Sequence, residues 1–224
     1  LWSDYDDTTT TNNNIDPSIP DLLIFHVHMP HDAPSMFKPS ADGPGEEAVV
    51  YLRPSSRFVA EITGTASPPT PATRLFVQWC RSADGDGTMR SRFKCMALVR
   101  NLEAHNLGWV APYNGKPVLI TESGRCRRGV LPGFDDGGGG GGGSNSIRYL
   151  EMTANVHQWG YLAKKGFVTL LPKFKELRLD IGFTIEGRAD AELPECMLGS
   201  FVANFCDEGK LETIPAKMQR PVGR

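Results

Sequence analysis

The sequence predicts an α+β fold, built mainly on antiparallel β-sheet with a few short helices. The stretch 177–186 alternates apolar and polar residues without interruption, which is typical of a strand with one buried face. Over residues 156–171 apolar side chains recur at intervals of three and four, which predicts one amphipathic helix. Strand patterns outnumber helical ones along the rest of the chain, so we expect the sheet to dominate.

The other elements follow from local patterns of the same kind. A short helix is predicted from Thr73, a candidate N-cap, because Leu75, Phe76 and Trp79 follow it at helical spacing. Proline, glycine and serine in 31–46, and three prolines in 67–71, indicate loops. Further strands are predicted at 22–29, 48–53, 58–63, 92–100, 107–111, 117–121, 147–156 and 201–205.

The sequence also predicts how the chain is divided. Residues 1–20 are polar and of low complexity, so we expect a disordered lead-in before a single domain at 21–210 and a tail at 211–224. A glycine-rich insertion is predicted at 129–146, because its central run of glycines cannot pack. It is either a flexible insertion or an engineered linker, with an interdomain boundary as the rival interpretation. Since the first residue is Leu1, we expect a piece of a longer protein.

Composition excludes several classes of protein. The 224 residues carry a net charge of -2, so nucleic-acid binding is not expected. Five scattered cysteines predict reduced thiols and a cytosolic or nuclear location, and no stretch resembles a signal peptide or a membrane span. No nucleophile lies in a recognisable catalytic motif, and no cofactor is predicted. Glu192 and Glu195 flank Pro194, which suits a turn better than an acid/base pair.

Several motifs together resemble the C-terminal domain of the plant Enhanced Disease Resistance 2 family. The alternating strand ends in Ile185-Glu186-Gly187 and is followed by Glu192-Leu193-Pro194-Glu195 and Leu198-Gly199. Earlier stretches fit the family pattern in the same order: Arg90-Ser91-Arg92-Phe93-Lys94, Trp109, Lys116-Pro117-Val118-Leu119 and Tyr149-Leu150-Glu151. The chain departs from the family where Thr153 and Asn155 replace aspartates, and its helix at 156–171 is more basic than usual. The glycine tract falls in a connection that is short in the family, which favours an insertion within one domain.

The resemblance implies a regulatory role and no known enzymatic activity. In plants, domains of this family follow membrane- and lipid-binding domains of the pleckstrin-homology and START types, in negative regulators of defence-related cell death. It therefore implies a non-catalytic domain of a larger lipid- or membrane-associated protein, with the upstream domains of that protein as partners. The expected location is cytoplasmic, with peripheral membrane attachment. A protein-interaction scaffold is an alternative.

Basic residues are the candidates for contact with a ligand or an anionic head group. Arg90, Arg92 and Lys94 alternate along one predicted strand, so their side chains are expected on the same face. They either bind an anion or form ion pairs with the acids of 186–195, and we favour the ion pairs. The others lie in a predicted loop and beside the predicted helix, where they either meet anionic lipid or form a solvated face. The candidates are Arg90, Arg92, Lys94, Arg125, Arg127, Arg128, Lys164 and Lys165.

A histidine cluster suggests a different function. His26, His28 and His31 form an H-x-H-x-x-H motif, and the first two project from the same face of a strand. This geometry can chelate zinc or copper, so a metal-dependent enzyme is a second alternative. The competing interpretation is the exposed polar face of an edge strand.

Overall fold

Two four-stranded sheets form the framework of the protein. The computed structural model describes residues 15–35, 42–65, 68–119, 124–132, 146–210 and 212. The strands in these ranges are β1 (Leu22–Pro30), β2 (Gly45–Leu52), β3 (Phe93–Val99), β4 (Pro117–Leu119), β5 (Arg125–Leu131), β6 (Ile147–Asn155), β7 (Arg178–Ile185) and β8 (Gly199–Asn204). The helices are α1 (Ser56–Ile62), α2 (Pro71–Ser82), α3 (Gly87–Arg90) and α4 (Tyr161–Leu170), with short 3-10 turns between several elements.

The strand order is β2-β1-β6-β5 in the first sheet and β4-β3-β7-β8 in the second. All strand pairs are antiparallel except β1 and β6, which run in parallel with Leu23 beside Leu150. The parallel pair needs a long crossover, and α1, α2 and strands of the second sheet lie between β1 and β6 in the chain. The predicted α+β class with mainly antiparallel sheet is confirmed.

Aromatic side chains fill the space between the two sheets. Phe25 from β1 lies 5.3 Å from Phe93 of β3 and 4.7 Å from Phe183 of β7, measured between ring centroids. Trp79 from α2 closes the group, with its ring 5.5 Å from Phe93. All four side chains are at most 1% exposed. The sheets therefore pack face to face on a dense aromatic core, with α2 against one end.

The helix α2 begins earlier than the sequence indicated. Its N-cap is Thr70, whose hydroxyl accepts a hydrogen bond from the amide of Thr73 at 3.2 Å, and Pro71 takes the first helical position. The hydroxyl of Thr73 instead donates to Glu61 at 2.6 Å. The predicted cap was wrong because Thr70 is followed by a proline, which favours a helix start at that point.

Three other element predictions are corrected by the structure. Residues 58–63 are not a strand, since α1 runs through them from an N-cap at Ser55 that accepts a hydrogen bond from the amide of Phe58. Residues 107–111 contain the 3-10 turn Gly108–Val110 in place of a strand. The helix predicted over 156–171 is divided, because a 3-10 turn at Val156–Gln158 is followed by extended backbone at Trp159 before α4 begins.

Packed structure is seen on both sides of two of the predicted boundaries, while the division of the chain into a lead-in, one domain and a tail stays a prediction. Ile19 is 3% exposed and belongs to the main core, so packed structure begins before residue 21. Strand β5 includes Gly129 and continues to Leu131, so these residues of the predicted insertion are part of the first sheet. The glycine tract itself lies outside the described residues, as do 1–14 and nearly all of the predicted tail.

Candidate functional site

Two of the candidate basic residues are neutralised by the acidic turn that follows β7. Arg92 donates two hydrogen bonds to Glu192, at 3.0 and 3.2 Å, and both side chains are largely buried. Lys94 donates to both oxygens of Glu195, at 2.9 and 3.2 Å, with Glu186 at 4.0 Å. This geometry matches the ion-pair hypothesis, because the carboxylates occupy the positions an anionic ligand would need. Arg92 and Lys94 therefore join the turn to the second sheet.

The electrostatics of the turn can be tested by its acid sensitivity. The hydrogen bond from Arg92, then those from the amides of Arg188 and Ala189, lower the pKa of Glu192 from 4.5 to about 2. Because the pKa is lower in the folded state, this carboxylate stabilises the fold above pH 4.5 and the contribution is lost as the pH falls toward 2.

We therefore expect the variant Glu192→Gln to be less stable than the parent protein at pH 7. Its free energy of unfolding should also depend less on pH between 4.5 and 2, since the titrating group is gone. Urea denaturation followed at a series of pH values measures both effects. Glu103→Gln is the control, as that side chain is exposed and forms no ion pair with the residues that the structure describes. Parallel pH curves for Glu192→Gln and the parent would contradict the assignment.

Two further candidate arginines, Arg90 and Arg128, donate hydrogen bonds to backbone carbonyls. Arg90 ends α3, so it does not share a strand with Lys94 as predicted, and it donates to the carbonyl of Ala83 at 3.1 Å. Arg128 donates to the carbonyl of Ser18 at 2.7 Å and to that of Cys80. It also pairs with Asp84, at 3.2 Å. Both residues fix the interior against the helices and are not free to meet a ligand.

Arg125 and Arg127 lie on the face of β5 opposite to Arg128. They lie in β5 and not in a loop as predicted, and strand alternation separates their side chains from that of Arg128. Both are exposed, and neither forms an ion pair within the described ranges. The nearest acid in register is Glu151, which is opposite Arg127 on β6.

The histidine cluster is engaged by carboxylates. His26 and His28 both contact the same oxygen of Glu47, at 2.5 and 3.1 Å, while His31 contacts Glu46 at 3.2 Å. The register explains this, because His28 lies directly opposite Glu47 on the neighbouring strand. Within the part of the chain that the structure describes, no group of three or more His, Cys, Asp or Glu side chains could hold a metal ion. The structure therefore gives the metal-dependent enzyme no support.

The two adjacent lysines of α4 have opposite environments. Lys164 is 7% exposed, and its ammonium group donates to the carbonyl of His157 at 2.6 Å. These two side chains line a cavity of about 90 Å³ beneath the segment that follows β1. Burial lowers the pKa of His157, which keeps that ring neutral at pH 7. Lys165 is exposed, with its ammonium group 5.9 Å from the centre of the Tyr161 ring.

Further cations lie beside α4 on the segment that follows it. Between residues 161 and 178 the chain carries five basic residues and one acidic residue, a net charge of +4. Lys175 and Arg178 are exposed and Lys173 is half-buried. Like Lys165, they form no ion pair with any residue in the described ranges. The sole acid of the segment, Glu176, pairs instead with His105 at 3.2 Å.

Exposed aromatic side chains lie on α4's neighbouring segments. Trp109 is 48% exposed, and its ring lies next to Gly166 on α4. A Cβ atom at that glycine would be 3.5 Å from the ring. Tyr113, one turn further along the same connection, is 72% exposed. Phe205 is 49% exposed and carries the Arg178 guanidinium 5.4 Å from its ring centre. We call Trp109, Tyr113, Lys165, Lys173, Lys175, Arg178 and Phe205 the α4 surface.

Sequence reasoning missed part of this surface. Phe205 was expected to alternate into the last strand, but β8 ends at Asn204 and Phe205 has a left-handed backbone with φ of 55°. The strand pattern Phe201, Ala203, Phe205 continues past the true end of the strand, so alternation alone could not reveal the exposed ring. Tyr113 lies in a turn that has no periodicity.

The two sheets are in direct contact with each other through their aromatic side chains. The facing aromatic sides of the two sheets are in contact through Phe25, Phe93 and Phe183. Behind α4, Phe167 packs between Trp159 and Phe174, with ring centroids 5.9 and 6.0 Å away. None of the described helices is long and apolar enough to cross a membrane.

Comparison with known proteins agrees with the motifs around β3 and β7. A family model described as "Protein ENHANCED DISEASE RESISTANCE 2, C-terminal" matches residues 4–207. The chain belongs to this family. The match begins well before Arg90, where the first of the family motifs lies, and it spans both sheets. Searches of curated proteins and of solved structures found no match.

Proposed function

We propose that this Enhanced Disease Resistance 2 C-terminal domain is a non-catalytic module of a larger lipid- or membrane-associated regulatory protein, and that its α4 surface contacts anionic lipid head groups. The observation that carries the proposal is that, among the residues that the structure describes, the cations of the α4 surface have no acidic partner, whereas Arg92, Lys94 and Arg128 each pair with an acid. The upstream domains of the same protein would supply a further attachment, and the location would be cytoplasmic and peripheral to the membrane.

The charge distribution supports attraction to an anionic surface. Each lysine or arginine close to an anionic membrane contributes about 1 kcal/mol, and the effect fades within a Debye length. Lys165 is exposed on α4, and Lys175 is exposed on the 3-10 turn Leu171–Glu176 that packs against α4. Arg178 is exposed two residues after that turn, so the three cations are concentrated in one short part of the fold. A chain with a net charge of -2 needs such a local concentration to bind an anion.

The aromatic side chains support a membrane surface over a soluble anion. Tryptophan and tyrosine favour the boundary between head groups and acyl chains, because each has an apolar ring and a polar group. Trp109 is exposed next to Gly166 of α4, Tyr113 is exposed four residues further along, and Phe205 lies under the Arg178 guanidinium. A free phosphate compound would contact the cations alone, whereas a membrane would contact the cations and the aromatic side chains. Substitution of an aromatic residue should therefore weaken binding to a membrane and leave binding to a soluble phosphate compound unchanged.

The test is co-sedimentation of the full chain with phosphatidylcholine vesicles that contain either no phosphatidylserine or a substantial fraction of it. We expect binding only to the anionic vesicles, and weaker binding at high salt. The double variant Lys165→Gln/Lys175→Gln should bind about 10- to 30-fold more weakly, which corresponds to about 2 kcal/mol. Trp109→Ala should also weaken binding to vesicles.

The charge-matched control is Arg125→Gln/Arg127→Gln, which removes two exposed cations from the edge of the first sheet. It should bind vesicles as the parent protein does. Equal absence of binding to neutral and anionic vesicles would refute the proposal, and so would a larger loss in the control than in the lysine variant. Retained binding to inositol hexakisphosphate with no binding to vesicles would indicate a soluble anion as the ligand.

A further inference from the structure

The strand β5 forms an open edge of the first sheet. It ends the order β2-β1-β6-β5 and pairs with β6 over all seven of its residues, without a bulge. In the ranges that the structure describes, no strand or hydrogen-bonding group covers its other edge. Edge strands that are long and regular tend to pair with another chain unless they are bent, covered, interrupted by proline or protected by charged side chains. Charges along an edge repel like strands and admit a partner of opposite charge.

The inward side of β5 is rigidly held. Arg128 reaches the carbonyls of Ser18 and Cys80 and the carboxylate of Asp84. Cys126 packs against the main core. These contacts fix the strand from within, so its outer backbone groups are already arranged for pairing and little ordering is needed when a partner binds.

The side chains along the edge define the partner. Arg125 and Arg127 lie exposed at the start of the strand without an ion pair inside the described ranges. At its other end Val130 and Leu131 are 61% and 41% exposed, and Ile147 lies opposite Leu131. The edge is therefore cationic at one end and apolar at the other.

We propose that β5 binds an extended segment of a partner protein, acidic at one end and apolar at the other, which adds a fifth strand to the first sheet. Main-chain hydrogen bonds would supply the affinity, and the two ends of β5 would fix the direction of the segment. The other long open edge differs in this respect, because β8 has no charged residue. The edge formed by β2 has two acids, but both already contact histidines of β1 or the loop after it.

Binding can be measured by fluorescence anisotropy with a labelled hexapeptide. The peptide alternates Glu with Thr in one half and Val with Thr in the other, and a second peptide has the reversed order. We expect one of the two to bind more tightly than the other. Methylation of the peptide nitrogens that face β5 should weaken binding at least tenfold, because the ladder hydrogen bonds are lost while the side chains remain. Hydrogen exchange should show added protection at the amides of β5.

The double variant Arg125→Gln/Arg127→Gln should bind the preferred peptide at least tenfold more weakly, with an unchanged circular dichroism spectrum. Lys165→Gln/Lys175→Gln should bind it as the parent protein does, which separates this edge from the α4 surface. Binding of neither peptide, or equal binding of the methylated peptide, would overturn the proposal. Protection of β5 that rises with protein concentration, together with dimers in sedimentation velocity, would assign the edge to a second copy and would overturn it too.

Discussion

Replacing Phe93 with alanine is expected to lower the free energy of unfolding by about 3–5 kcal/mol. Phe93 is fully buried, and its ring lies 5.5 Å from that of Trp79 and 5.7 Å from that of Phe183. It also lies 5.3 Å from Phe25. One side chain thus joins both sheets and α2, so no single element can move in to fill the space that alanine leaves. For this reason we expect the full loss that is typical of a buried aromatic residue.

Urea denaturation followed by circular dichroism measures this loss. Tyr51→Ala is the control, because its side chain is 65% exposed and its removal should change stability by no more than about 0.5 kcal/mol. A loss below about 1 kcal/mol for Phe93→Ala would mean that the two sheets do not share one core. A variant that fails to fold would be compared through Phe93→Leu, for which we expect a smaller loss in the same direction.

The sequence was sufficient where a single pattern determined the structure. Strand β7 alternates over its whole length, and the structure pairs it on both sides with Phe183 facing the core. The segment that became α1 was too short for its pattern to separate helix from strand. Its helical state depends on contacts from elsewhere, since Glu61 is buried against Thr73 of α2.

The candidate site shows the same division. Arg92 and Lys94 could be matched to the acids after β7, because both the charges and the strand were visible in the sequence. The arginines of β5 could not be separated, because they were assigned to a loop, and residues in a loop have no predictable faces. Pairing with β6, which lies beyond the glycine tract, makes this segment a strand whose successive side chains lie on opposite faces of the sheet. Only this long-range pairing shows that Arg128 is structural and that Arg127 is exposed.

The half-buried contacts of Arg128 predict a second large loss of stability. We expect Arg128→Ala to lower the free energy of unfolding by about 2–3 kcal/mol. The carbonyls of Ser18 and Cys80 would each lose a charged donor in a half-buried position. The ion pair with Asp84 adds less, because both side chains are about one-third exposed. Thermal or urea unfolding monitored by circular dichroism would measure the change.

Two variants divide this effect into its parts. Asp84→Asn removes only the ion pair and should cost about 0.5–1 kcal/mol, while Arg125→Ala on the opposite face of the same strand should cost no more than about 0.5 kcal/mol. If Arg128→Ala cost no more than Asp84→Asn, the carbonyl contacts would contribute nothing and β5 would be held only by its pairing with β6. The open edge would then lack the rigid support that favours strand addition. A larger loss in Arg128→Ala shows that one arginine connects the lead-in, α2 and the edge strand, and so keeps the exposed arginines in position.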